Sequence, residues 1–110
     1  MEIPDCVKIG GVPYEVYISE DKHDLLELTY CGRIDYGAQR IALRKCGPDA
    51  MKISLLHECL HGMLNALGLC SDKHDEQLID GLAHQLLLLL RDNPEMLRET
   101  SSEGGYTEIC

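Results

Sequence analysis

The spacing of the hydrophobic residues changes close to Pro48, and this change limits the folds that the chain can adopt. Before it, apolar and polar residues alternate, as they do in strands that bury one face. After it, apolar residues recur at every third and fourth position, as they do in amphipathic helices. A chain of 110 residues is long enough for a single core. We therefore predict an α+β domain in which strands come first and helices follow.

The first half predicts a small antiparallel sheet of about three strands. Residues 7–9 and 12–18 flank Gly10-Gly11, a pair that tolerates the positive φ of a tight hairpin turn. Further strand segments are predicted over residues 26–31 and 33–43, where the alternation is interrupted by glycine.

The second half predicts two helices that pack against each other and against one face of the sheet. The first begins at Pro48, a residue that suits the first turn of a helix, and ends before Gly68, which suits a C-terminal stop. Ser71 or Asp72 can cap the second helix, whose apolar surface continues until Asn93-Pro94.

This order of elements predicts one domain over residues 1–94 and a polar, mobile tail over residues 95–110. Five consecutive leucines at 86–90 surround the second helix, so at least one apolar strip lies outside a simple two-helix contact. Either the sheet and the tail cover this strip or a second copy of the chain does. A monomer and a homodimer therefore both stay open.

The formal net charge is −9, and the ten Lys and Arg residues are not clustered. This distribution argues against a nucleic acid or an anionic membrane surface as the partner. The six cysteines include no CxxC pair, and we find no secretory signal and no apolar run long enough to span a bilayer. We expect free thiols and a reducing, cytoplasmic setting.

The segment HECLH, residues 57–61, is the motif that carries chemistry. His57 and His61 are four residues apart on the predicted helix, so both imidazoles can face a single ion. Glu58 lies beside that face, where its carboxylate can take a proton from a metal-bound water. The motif predicts a zinc site with Glu58 as the general base. Manganese and iron stay open, because two histidines and a carboxylate suit all three metals.

A catalytic zinc needs a third protein ligand. The metzincin arrangement would place glycine and histidine where this chain has Leu64 and Leu67, so the ligand must come from beyond the turn. Glu76 and Asp80 are four apart on the second predicted helix and face the same way. Simple antiparallel counting puts Asp80 nearly level with His61, whereas Glu76 has the longer reach. Spacing therefore leaves both residues open, and we favour Glu76.

Two further histidines are weaker ligand candidates. His74 lies in a predicted polar turn, and His84 is displaced by one residue from the face shared by Glu76 and Asp80. We expect neither to bind the metal.

An HExxH helix followed by a helix that carries Glu and, four residues later, Asp resembles the gluzincin metallopeptidases. The resemblance implies that Glu76 is the third ligand and that Asp80 hydrogen-bonds His57, which fixes the tautomer and orientation of that imidazole. Residues 7–94 are also similar to small metallopeptidase-like proteins of phages and mobile elements, which are distantly akin to the ImmA/IrrE group. This similarity implies a minimal zincin-like domain that acts on a protein or peptide.

The chain also departs from the large gluzincins. Its connection from His61 to Glu76 is shorter, and we identify no downstream His or Tyr that would stabilise an oxyanion. The resemblance further implies that an extended substrate lies along a sheet edge, near Tyr30, Arg33 and Tyr36.

Two functions are compatible with these patterns. The first is a zinc-dependent peptidase in which Glu58 is the base. The second is a non-catalytic metal-binding phage accessory protein or interaction module, which would dock a partner or a second copy through the leucines at 86–90.

Overall fold

A computed structural model of the chain describes residues 1–20 and 31–98, and its architecture confirms the predicted α+β class. The strands form one four-stranded sheet: β1 (Cys6–Ile9), β2 (Val12–Ser19), β3 (Gly32–Asp35) and β4 (Arg40–Arg44). Two helices follow, α1 (Pro48–Ala66) and α2 (Glu76–Asp92). Short 3₁₀ turns lie at Ser71–Lys73 and Pro94–Leu97.

The first hairpin is confirmed. β1 and β2 pair antiparallel with Ile9 opposite Val12, so the connection is only Gly10-Gly11. Both glycines have positive φ, +58° and +82°. A two-residue turn that continues the twist of its strands requires positive φ at both positions, and glycine adopts it without a steric penalty.

The sheet is mixed, with the strand order β1-β2-β4-β3, so the expectation that all strands run antiparallel needs correction, whereas four strands are close to the expected number of about three. β2 pairs parallel with β4, placing Val16 opposite Ile41, while β3 pairs antiparallel with β4. The alternation of apolar residues reports which face is buried and carries no information on strand direction. The strand predicted over residues 26–31 lies outside the described residues, apart from Cys31.

The core lies between the sheet and α1. Ile41 and Leu43 on β4 are fully buried, and Leu55 on α1 is 2% exposed. At Gly62 the helix comes so close to the sheet that a Cβ there would lie 2.8 Å from Ile9 Cδ1. The buried face of α1 that contains Leu55 and Gly62 also includes Glu58.

α2 runs antiparallel to α1, and Arg91 Nη2 lies 2.7 Å from Asp49 Oδ1 at one end of the pair. The buried residues of α2, spaced by four, are Ile79, Ala83 and Leu87. This spacing gives one apolar stripe along the helix.

The predicted ends of α1 are confirmed, because it begins at Pro48 and Gly68 follows it with φ +90°. The predicted cap of α2 at Ser71 or Asp72 is wrong. That segment forms a 3₁₀ turn, and the cap is Asp75, whose carboxylate accepts the Leu78 N–H at 3.1 Å. All three are capping residue types, and the geometry of the connection decides which one meets a free helix N–H.

In the described part of the chain, the leucine segment has an apolar strip outside the contact between the two helices, as predicted. Leu87 is buried, whereas Leu88 and Leu89 are 48% and 43% exposed. Leu78 and Leu82 on the same helix are also exposed. Across residues 1–20 and 31–98, no helix combines the length and apolarity needed to cross a membrane.

The expectation of free thiols holds for four of the cysteines. Cys31, Cys46, Cys59 and Cys70 are free. It is wrong for Cys6, which takes part in a disulfide bond.

Candidate metal centre

Three side chains from the two helices meet at one point. His57 and His61 lie one turn apart on α1, and their Nε2 atoms are 3.2 Å apart. Glu76, the first residue of α2, places Oε2 3.1 Å from His57 Nε2 and Oε1 2.9 Å from His61 Nε2. The ligand atoms lie within 4.8 Å of one another, so His57, His61 and Glu76, the metal group, can hold a metal ion.

The spacing of these atoms fits a metal ion that all three side chains bind directly. Ligands at about 2.0–2.1 Å on a tetrahedron around zinc lie about 3.3 Å from one another. The two histidine nitrogens lie 3.2 Å apart, and one Glu76 oxygen lies 3.1 Å from His57 while the other lies 2.9 Å from His61. These distances are also those of neighbouring ligands on an octahedron, which lie roughly 3 Å apart. The side chains of His57 and His61 are 20% and 11% exposed, and that of Glu76 is 67% exposed. The group is therefore sheltered by α1 on one side and reachable from solvent on the other.

Asp80 takes a different position from Glu76. Its Oδ1 lies 3.6 Å from His57 Nδ1, on the side of the ring away from the metal group. Glu76 thus contacts both His57 and His61, whereas Asp80 lies near His57. The counting that put Asp80 level with His61 is wrong, because the connection runs back along the end of α1 and brings His74 beside His61 before α2 begins.

Glu58 points toward the sheet and is only 7% exposed. The backbone N–H of Ile34 on β3 donates a hydrogen bond to its carboxylate. At Gly32 a Cβ would stand 3.4 Å from Glu58 Cγ and Oε2, so this position of β3 lies directly against the Glu58 side chain. Burial, assisted by the nearby Glu76 carboxylate and opposed by His57, raises the pKa of Glu58 to about 7. The carboxyl can therefore gain or lose a proton near neutral pH.

The metal group opens into a cleft of about 410 Å³ between β3, α1 and α2. Its lining residues are Cys31, Gly32, Ala50, Ile53, Ser54, His57, Glu58, Glu76, Asp80 and His84. His84 is a member of this lining that sequence reasoning set aside, although it follows Asp80 by four residues. Its Nδ1 lies 2.8 Å from the Asp80 carbonyl oxygen, which leaves Nε2 for contact with a bound molecule.

Of the two described residues that were expected along a substrate-binding sheet edge, one lies there. Arg33 lies on β3, at one end of the described sheet. The Tyr36 hydroxyl instead donates to the His61 carbonyl oxygen at 3.3 Å, so it contacts α1. Burial and the charge of Glu58 raise the pKa of Tyr36. Tyr30 lies outside the described residues.

His74 is the second residue that sequence reasoning did not place. Its Nδ1 lies 2.6 Å from His61 Nδ1, on the opposite side of the His61 ring from Glu76. It stands in the connection before α2, where no helical or strand periodicity can signal a contact.

No family model, curated protein or solved structure matches this chain. The resemblance to gluzincins and to phage metallopeptidases stays a prediction. It depends on the HECLH segment and on the positions of Glu76 and Asp80.

The burial of Glu58 predicts a pH-dependent stability in the metal-free protein. Because its pKa is about 7 in the folded chain and 4.5 as its ordinary value, the folded state favours the protonated form. The stabilisation of the folded state by protonation of Glu58 is fully present below pH 4.5 and is lost as the pH rises through about 7. Glu58→Gln keeps a neutral side chain at every pH. Its free energy of unfolding, relative to wild type, should therefore increase by up to about 3 kcal/mol between pH 4.5 and 8.

Urea unfolding with a chelator present, at several pH values, measures this difference. Glu95→Gln is the matched control, because it makes the same chemical change at a side chain that folding leaves exposed. A pH-independent difference for Glu58→Gln would contradict the prediction.

Proposed function

We propose that this chain is a zinc-dependent hydrolase that cleaves peptide bonds in a protein or peptide substrate. One observation carries the proposal: two imidazole nitrogens and a carboxylate converge at 2.9–3.2 Å, with the buried Glu58 next to them. Three protein ligands and one open position are typical of catalytic zinc, whereas structural zinc sites use four protein ligands.

His57, His61 and Glu76 would hold the ion. Zinc is the metal that the HECLH motif favours, and metal analysis decides between it, manganese and iron, because two histidines and a carboxylate suit all three. When bound, zinc supplies Lewis acidity that polarises a water molecule and a substrate carbonyl. Asp80 would support the site by favouring a proton on His57 Nδ1, which leaves Nε2 for the ion.

Glu58 would act as the general base and then as the general acid. Its carboxylate takes a proton from the attacking water and later delivers that proton to the amide nitrogen of the leaving peptide. A base is most effective when its pKa is near the working pH, and burial brings the pKa of Glu58 to about 7. The hydrogen bond from Ile34 N–H would hold the carboxylate in place during both transfers.

The cleft supports a peptide as the substrate. Its wall on α1 contains Ala50 and Ser54, whose small side chains leave space beside the metal group. β3 lies along the same cleft at one end of the described sheet, where an extended segment can add alongside it. His84 is placed to contact that segment through Nε2.

A second candidate function is metal-dependent or metal-free docking without hydrolysis. The exposed leucines of α2, including Leu82 and Leu89, favour it because they offer an apolar surface to a partner or a second copy. Retained docking by a folded His57→Ala, His61→Ala double variant would support this alternative over the peptidase.

The test of the peptidase is metal analysis combined with a cleavage assay. Purified protein is expected to contain about one zinc per chain and to cleave members of a mixed peptide library. Dialysis against a chelator should remove both the zinc and the cleavage, and added zinc should restore both. Zinc-loaded, folded protein that cleaves none of the peptides would contradict the enzymatic part of the proposal.

A further inference from the structure

We propose that His74 is a positioning residue that fixes the tautomer and orientation of His61, so that His61 presents the lone pair of Nε2 to the metal. The inference rests on the proposed metal site. It adds a residue that is not itself a ligand and that reaches the ion only through His61.

The contacts of His61 differ between its two ring nitrogens. Nε2 faces the group formed with Glu76 and His57, at 2.9 and 3.2 Å. Nδ1 faces His74 Nδ1 at 2.6 Å. The two ring planes are 25° apart and their centroids are 4.9 Å apart, so the rings meet nitrogen to nitrogen and close to one plane. This is the arrangement of a hydrogen bond between two imidazoles.

The position of the protons follows from the second nitrogen of His74. Its Nε2 lies 3.0 Å from the Leu69 carbonyl oxygen, which can only accept a hydrogen bond, so Nε2 carries the proton. A neutral imidazole has one N–H, and His74 Nδ1 is therefore the acceptor. His61 Nδ1 must then be the donor. This leaves a lone pair on His61 Nε2, the nitrogen that faces Glu76.

The chain of contacts from Leu69 to His61 is anchored to α1 at both ends. Leu69 N–H donates to the Leu64 carbonyl oxygen at 3.0 Å, which ties the connection to the last turn of the helix. His61 belongs to the same helix and is 9% exposed. The backbone therefore holds the His74 ring at a set distance from its partner, and the His61 ring cannot turn without breaking this hydrogen bond.

The two proposed histidine ligands would thus have different groups beside Nδ1. His57 has a carboxylate, Asp80, near its Nδ1, whereas His61 has the neutral ring of His74. Hydrogen-bond partners of metal-bound histidines commonly contribute about 10- to 100-fold to metal affinity. The structure assigns this role for His61 to His74.

Two substitutions separate the hydrogen bond from the volume of the ring. His74→Leu fills similar space and offers no acceptor. His74→Asn places a carbonyl oxygen where His74 Nδ1 stands and can accept the His61 N–H. We expect His74→Leu to weaken zinc binding about 10- to 100-fold and His74→Asn to restore affinity to within a few-fold of wild type. Competition against a chromophoric chelator at pH 8 measures the affinities.

The tautomer itself is measured at pH 8 by nitrogen-15 NMR of the imidazole rings, on metal-free protein in which Glu76→Ala has been added to wild type and to each variant. This change removes the carboxylate that lies 2.9 Å from His61 Nε2 and would otherwise draw a proton to that nitrogen. In wild type and His74→Asn, His61 is expected to carry its proton on Nδ1. In His74→Leu, His61 should become a mixture of both tautomers. Wild-type zinc affinity in a folded His74→Leu variant, or a wild-type His61 with its proton on Nε2, overturns the inference. If wild type binds no zinc, the proposed function fails, and the NMR result alone decides the tautomer.

Discussion

His61→Ala is expected to bind zinc on the order of 100- to 1000-fold more weakly than wild type. Structural zinc sites gain roughly 10–16 kcal/mol from about four ligands, so the loss of one ligand removes about 3 kcal/mol. His61 is also the ligand that is enclosed most, with a side chain 11% exposed, and its Nε2 contacts both His57 and Glu76. Without the His61 imidazole, only His57 and Glu76 remain to bind the ion. Chelator competition at pH 8 measures the affinity.

His84→Ala is the matched control, because His84 lines the same cleft and lies outside the metal-binding group. Its zinc affinity should stay close to that of wild type. A second readout is the thermal midpoint, since zinc that binds only the folded state raises it in wild type and should raise it far less in His61→Ala. Equal zinc affinity in His61→Ala and wild type would refute the assignment of the metal centre.

Glu58→Gln is expected to lower kcat/KM for peptide cleavage by about 10²- to 10⁴-fold while zinc remains bound. General-base catalysis contributes a factor of that size, and glutamine cannot take the proton from water. The amide has nearly the same shape and can still accept the hydrogen bond from Ile34 N–H. Zinc content and cleavage rate, measured on the same zinc-loaded sample, separate loss of the base from loss of the metal.

We do not expect loss of folding to cause such a result, because the free energy of unfolding of Glu58→Gln relative to wild type should rise between pH 4.5 and 8. Glu95→Gln again serves as the control and should cleave at the wild-type rate. Full cleavage by zinc-loaded Glu58→Gln would remove Glu58 from the proposed mechanism and would leave the metal centre untouched.

The position of Glu58 connects stability with the proposed activity. It occupies a sheet-facing position of α1 in the row that contains Leu55 and Gly62, where an apolar side chain would be the ordinary choice. A buried carboxyl that lowers stability above neutral pH is the kind of local cost that proteins retain at functional sites.

Much of the architecture was predictable because it depends on local rules. The Gly10-Gly11 turn follows from positive φ, and the ends of α1 follow from Pro48 and Gly68. The pairing of His57 with His61 follows from the pitch of one helix. In each case the residues that decide the structure are near neighbours in the chain.

The remaining features depend on how distant segments pack, and only the tertiary structure decided them. Alternating residues do not specify that β2 and β4 run parallel. Helix periodicity placed Glu76 and Asp80 on one face, yet the path of the connection decided that Glu76 meets His61. The same path brings His74 to His61. These contacts depend on the length and fold of an irregular segment, which has no period for a sequence to reveal.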